Sequence, residues 1–101
     1  MSAVSLELAP VRLFRAVRDF AQTTQEWESA VRYFTKPDEE YDLTLVSQRV
    51  YGTRNYTLVI QAAAGMDSPE YKLKATRLVL PTLEQLRQMR IKAGYPESEI
   101  V

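Results

Sequence analysis

The chain has 101 residues, thirteen Lys plus Arg against thirteen Asp plus Glu, and neither histidine nor cysteine. That length makes one domain, burying about two-thirds of the surface its unfolded form exposes, and the zero net charge argues against a protein that grips nucleic acid by neutralising phosphates. Disulfides, thiolate sites, Cys-His and Ser-His catalysis and most zinc sites are excluded with those two residue types, so the composition leans toward a binding or structural role with no cofactor and no metal.

In chain order, the first ten residues carry no basic start followed by a long apolar run, so no secretory signal is expected. No run of about eighteen apolar residues occurs, so no membrane span is expected either. Val4, Leu6 and Leu8 alternate as in a strand, and Val11 to Phe20 fits alternation or a helix about equally well; we read Leu13 to Phe20 as extended. Ala30 to Thr35 puts Val31, Tyr33 and Thr35 on one face and Phe34 on the other, which predicts a strand.

Asp42 caps a predicted helix over about residues 43–51, with Leu43, Val46 and Val50 three and four apart and Gly52 just past its end. Tyr56 to Ile60 has strand propensity, but Tyr56, Val59, Ile60 and Ala63 share a helical face, so spacing favours a helix ending near Gly65. Thr76 to Leu80 alternates and stops at Pro81, as a short strand does. Thr82 and Gln85 form a capping box ahead of Leu83, Leu86 and Met89, while Arg90, Lys92 and Gly94 suit a helix end; this predicts a helix over about residues 83–93. The tail beyond it closes on Ile100 and Val101.

The order strand, helix, helix, strand from Tyr33 to Pro81 resembles a LysM-like module. The resemblance rests on Tyr33-Phe34-Thr35-Lys36-Pro37, Asp42-Leu43-Thr44-Leu45, Val50-Tyr51-Gly52, Tyr56 through Ile60, and Leu73 through Pro81. Within that group the chain is most similar to the small LysM-like proteins of bacteriophage contractile tails, the tail protein X and baseplate wedge proteins, in Tyr51-Gly52 before Tyr56 and in Leu86-Arg87-Gln88 after the module. Members that bind N-acetylglucosamine polymers usually have a short Gly-Asp turn before the first helix and an Asn closing the second. Here Pro37 to Tyr41 and Ala64-Gly65 stand instead.

The resemblance implies an α+β fold: an N-terminal extension over residues 1–30, a LysM-like β-α-α-β module over 31–81, and a C-terminal helix and tail over 82–101. It implies a non-enzymatic structural part of a phage or phage-like tail baseplate, an adaptor between the tube or hub and the surrounding wedges. Such a part is made in the bacterial host cytoplasm and ends up in the virion. Its partners would be other tail and baseplate proteins, in several symmetric copies, with no nucleic acid and no membrane. The alternative is a peptidoglycan-type glycan binder, with Tyr41, Met66 and Tyr71 as stacking surface in a groove between loops 37–41 and 65–72.

Particular residues have a plain reading beside a functional one. Tyr51-Gly52 is explained as core tyrosine and helix-ending glycine. Asp38, Glu39, Glu40 and Asp42 are read as a solvated turn plus one cap; acid-base catalysis or a calcium loop needs a cleft or a ligand pattern the sequence lacks. Arg12, Arg15, Arg18 and Arg32, with Phe20 and Trp27 interleaved, could serve single-stranded nucleic acid, but Glu7, Asp19, Glu26 and Glu28 lie among them, which favours a protein interface. Trp27 is core or interface anchor. Met89, Arg90 and Tyr95, with the tail, lie on the chain's own sheet or on a partner, and sequence weights the two equally.

Overall fold

A computed structural model describes residues 2–68, 70–74 and 76–96, with side chains from Leu8 onward. The elements run α1 (Ser2–Thr23), β1 (Val31–Phe34), α2 (Leu43–Tyr51), α3 (Thr57–Ala63), β2 (Arg77–Leu80) and α4 (Leu83–Ala93), with 3-10 turns at Pro37–Glu39 and Arg54–Tyr56. The fold is thus a small α+β domain: four helices and one two-stranded antiparallel sheet among the described residues. Its radius of gyration, 13.3 Å, equals the roughly 13 Å of a compact domain of this size.

The main correction to the sequence reading is α1. Residues 13–20, expected as extended, are helical, as is the alternating stretch around Leu6 and Leu8. Ala9, Leu13 and Val17 recur every fourth residue and are buried at 1%, 4% and 0% exposure, which is one face of an α-helix. The helix packs along α3, α4 and β2 and so closes the core. Pro10 lies inside it; a proline there removes one backbone donor but does not stop a helix whose inner face is held by packing.

The remaining elements follow from their ends. Asp42 accepts a hydrogen bond from the Thr44 amide at 3.0 Å, and Gly52 ends α2 at φ +75°, a left-handed conformation that a Cβ disfavours. Thr82 and Gln85 exchange the two hydrogen bonds of a capping box, at 3.2 and 2.9 Å, and Gly94 ends α4 in the same left-handed region at φ +107°. Buried Ser47 accepts from the Tyr56 amide at 3.0 Å and donates to the Thr53 carbonyl. It thereby ties the end of the α2–α3 connection back onto α2.

In the sheet, Val31 pairs with Leu80, Arg32 with Val79, Tyr33 with Leu78 and Phe34 with Arg77. Side chains alternate across the pleat, so Val31, Tyr33, Leu78 and Leu80 point to the core while Arg32, Phe34, Arg77 and Val79 form the outer face. Leu78, Leu80, Val46, Val59, Ile60, Leu86 and Val17 are its most buried apolar side chains. Tyr51 enters from α2, donates to the Pro81 carbonyl at 2.7 Å and meets the Tyr56 ring edge to face at 5.2 Å. Burial pushes its hydroxyl pKa up, so it stays a neutral donor.

Candidate functional site

The turn after α1 carries the most exposed large aromatic side chain, Trp27, at 82% exposure. Within the turn, the Glu28 amide donates to the Gln25 carbonyl at 3.0 Å and the Gln25 amide to the Glu28 carboxylate at 2.8 Å. From β1, Arg32 donates to the Gln25 and Glu28 carbonyls at 2.8 and 3.1 Å. From β2, Arg77 grips both oxygens of Glu26 at 3.2 Å. From α4, Gln85 donates to the Ser29 carbonyl at 2.9 Å. The hydrogen bonds from Arg77 hold the Glu26 carboxyl below its ordinary pKa, so this grip persists through the neutral range.

Two strands and a helix therefore hold a short turn whose one large apolar side chain points into water. Phe34, 69% exposed, stands in the outer sheet face opposite Arg77, the residue that grips Glu26. Single exposed apolar residues are ordinary; a tryptophan held out on a polar-locked turn has the makeup of an interface anchor. The structure thus places Trp27 outside the core and resolves the sequence alternative in favour of exposure.

Arg12 and Arg15 are exposed on α1, and Arg15, with Pro10, Val11, Phe14 and Leu58, lines a shallow hollow of about 240 Å³. Arg18, grouped with them by sequence, turns inward: it stacks over Phe14 at 4.6 Å and donates to the Met66 carbonyl at 3.1 Å. Met89 packs against the core, and Arg90 lies between the Tyr56 and Tyr95 rings at 5.6 and 4.7 Å. Arg18, Met89, Arg90 and Tyr95 thus make contacts within the chain while staying partly exposed. A cation stacked on aromatic faces is stabilised in place. Ile100 and Val101 lie outside the described residues.

Tyr41 and Tyr71 are 72% and 62% exposed, but Met66 is 7% exposed and belongs to the core. Packed into the core, it offers little surface for stacking. The Leu73 amide donates to the Glu40 carbonyl at 2.7 Å and joins the two loops. One cleft of about 350 Å³ opens among Thr35, Lys36, Pro37, Glu40, Lys72 and Lys74. A second, of about 500 Å³, lies beside Met66, Asp67, Glu70 and Tyr71.

Sequence reasoning missed the role of Glu39. In place of a solvated carboxylate, its side chain is fully buried, accepting from the Tyr33 hydroxyl at 2.5 Å, the Lys36 amide at 2.6 Å and Arg49 at 2.8 Å. Arg49 also holds Asp38 through both oxygens at 2.9 and 2.8 Å. Burial pushes the Glu39 carboxyl up, but these three donors outweigh it and hold the group below the usual carboxylate range. Burial and the bond to Glu39 push the Tyr33 hydroxyl up. The only available signal was spacing, Lys36 to Glu39, that of a cap and its third residue. With every acceptor occupied, this cluster works as a latch between β1, the 3-10 turn and α2.

No group of three or more candidate metal ligands gathers among the described residues, and no helix among them is long and apolar enough to cross a membrane. Comparison with protein-family models, with curated proteins and with solved structures gives no match for this chain.

Proposed function

We propose that the chain is a non-enzymatic structural adaptor of a phage or phage-like contractile tail, a LysM-like part that joins the tube or hub to surrounding wedge proteins in the virion. The observation that carries the binding role is Trp27, held out at 82% exposure on a turn locked by Arg32, Arg77 and Gln85. Burying such an anchor on a partner would stabilise the contact by about 1.5–3 kcal/mol before ordering costs. Support for the tail setting is the resemblance itself, together with the order of strand, two helices and strand between residues 31 and 80. Mass spectrometry of purified tails tests it: the chain is expected in fixed stoichiometry with tube and baseplate proteins, and its absence from them rejects the tail assignment.

A second reading, a glycan-binding module, draws on Tyr41 and Tyr71, both exposed, with Tyr71 lining one of the loop clefts. Sedimentation with insoluble peptidoglycan decides it. Failure of the protein to pellet at high micromolar concentration removes this reading.

A further inference from the structure

The exposed turn and the α1 hollow are complementary in chemistry. The hollow is open and apolar, walled by Pro10, Val11, Phe14 and Leu58, and Arg15 forms part of its border. It measures about 240 Å³ and is open to solvent. Val11 in its wall is 48% exposed, and Leu8, one turn earlier, is 41% exposed. An indole seated there would meet a proline ring, the Phe14 ring and the Arg15 guanidinium, and tryptophan is the best aromatic partner for a cation.

Charge matches as well. Arg12 and Arg15 take part in no ion pair among the described residues, and neither does Glu28, which stands next to Trp27. Glu26, on its other side, is shared with Arg77 and Arg32 at 3.2 and 3.9 Å but remains 77% exposed. The knob is therefore an aromatic between two carboxylates, of which Glu28 has no ion-pair partner among the described residues, and the socket is apolar with the Arg15 guanidinium on its border. Within one chain they stay apart: at the helical rise per residue, roughly 15 Å of α1 separates the socket from the end of the helix where the turn begins.

We propose that Trp27 of one copy seats in the Pro10-Val11-Phe14-Leu58 hollow of a second copy, with Glu28 facing Arg12 and Arg15. The contact is heterologous, leaving one free knob and one free socket on every pair, so it propagates to a ring or a filament. It rests on the adaptor reading only for its setting among many copies. A single anchor of this size makes a weak interface that an assembly strengthens by repetition.

Trp27 is the only tryptophan in the chain, so its emission reports the contact directly. The experiment is sedimentation velocity with tryptophan emission on the purified protein, from about 10 µM to about 1 mM, the range in which weak contacts populate. The wild-type mass is expected to rise above the 11.6 kDa of one chain, with emission shifting to the blue. Trp27→Ala and Val11→Glu, both at exposed positions, should each remain monomeric with an unchanged far-ultraviolet circular dichroism spectrum. Mixed together they should form only 1:1 pairs, since the first keeps the socket and the second the knob.

A wild-type chain that stays monomeric with red emission overturns the proposal. So does association that both variants leave intact, or a blue shift seen only when a different protein is added. The adaptor reading can survive each of these results, because it is decided separately by the composition of purified tails.

Discussion

Glu26 and Glu39 are both met by arginine, yet the two clusters do different things. Glu39 is fully buried and accepts at 2.5 to 2.8 Å from a tyrosine, an amide and an arginine. Glu26 is 77% exposed and meets Arg77 and Arg32 at 3.2 and 3.9 Å. Removing a partner from a buried ionic cluster strands a charge or donor away from water, whereas an exposed ion pair is replaced by water at little cost. The first cluster therefore bears on whether the domain folds, and the second on where Trp27 is held.

Substitution at Glu39 should have the largest effect. Glu39→Ala leaves the Tyr33 hydroxyl and the Lys36 amide without their acceptor and should cost about 2–4 kcal/mol, read as a lower urea midpoint at unchanged slope. A loss below about 0.5 kcal/mol would show the latch to be no more important than a surface pair.

Acid should come next. The folded Glu39 carboxyl lies below its ordinary value, so its contribution is fully present above the unfolded pKa of about 4.3. It is lost as pH falls from there through the lowered folded value. Unfolding free energy measured from neutral pH down to about pH 2.5 should fall steeply in that window. Glu39→Gln should flatten the slope; part of it should remain, because Glu26, Asp38 and Asp42 are also held below their ordinary values.

On the exposed side the effects should be smaller and of another kind. Arg77→Ala should cost less than about 1 kcal/mol yet lower the fluorescence anisotropy of Trp27, because the turn loses its grip on β2. Unchanged anisotropy would mean that Arg32 and Gln85 hold the turn unaided. Trp27→Ala should shift stability by no more than about 0.5 kcal/mol, measured by thermal melting. A larger loss would place the indole in the domain's own packing and erase the contrast between the two clusters.

Much of the fold was legible because its signals are local. Asp42 with Gly52, and Thr82 with Gln85 and Gly94, mark helix ends that depend on a few neighbouring residues, and α2 and α4 lie where those residues put them. The strands were readable from alternation and from Pro81. The first helix was not, because Pro10, Arg15 and Arg18 interrupt its pattern; its inner face, Ala9, Leu13 and Val17, is clear once a neighbour is there to receive it. The candidate site was half legible. Sequence preferred an interface for Arg12 and Arg15 and left Trp27 open between core and interface; all three are exposed. For Met89 and Arg90 the sequence weighed own sheet and partner equally, and it read Arg18 and Met66 from residue type; the contacts these residues make come from partners distant in the chain, such as the Met66 carbonyl for Arg18 and the Tyr56 ring for Arg90.

By itself the sequence determined the absence of histidine and cysteine chemistry, the balance of charge, and the ends of α2 and α4, all properties of composition or of residues a few positions apart. Tertiary structure decided that α1 is a helix, that Glu39 and Met66 are inside, and that Trp27 is outside. Burial and pairing depend on what the folded chain brings alongside, and local sequence carries little information about residues thirty or fifty positions away.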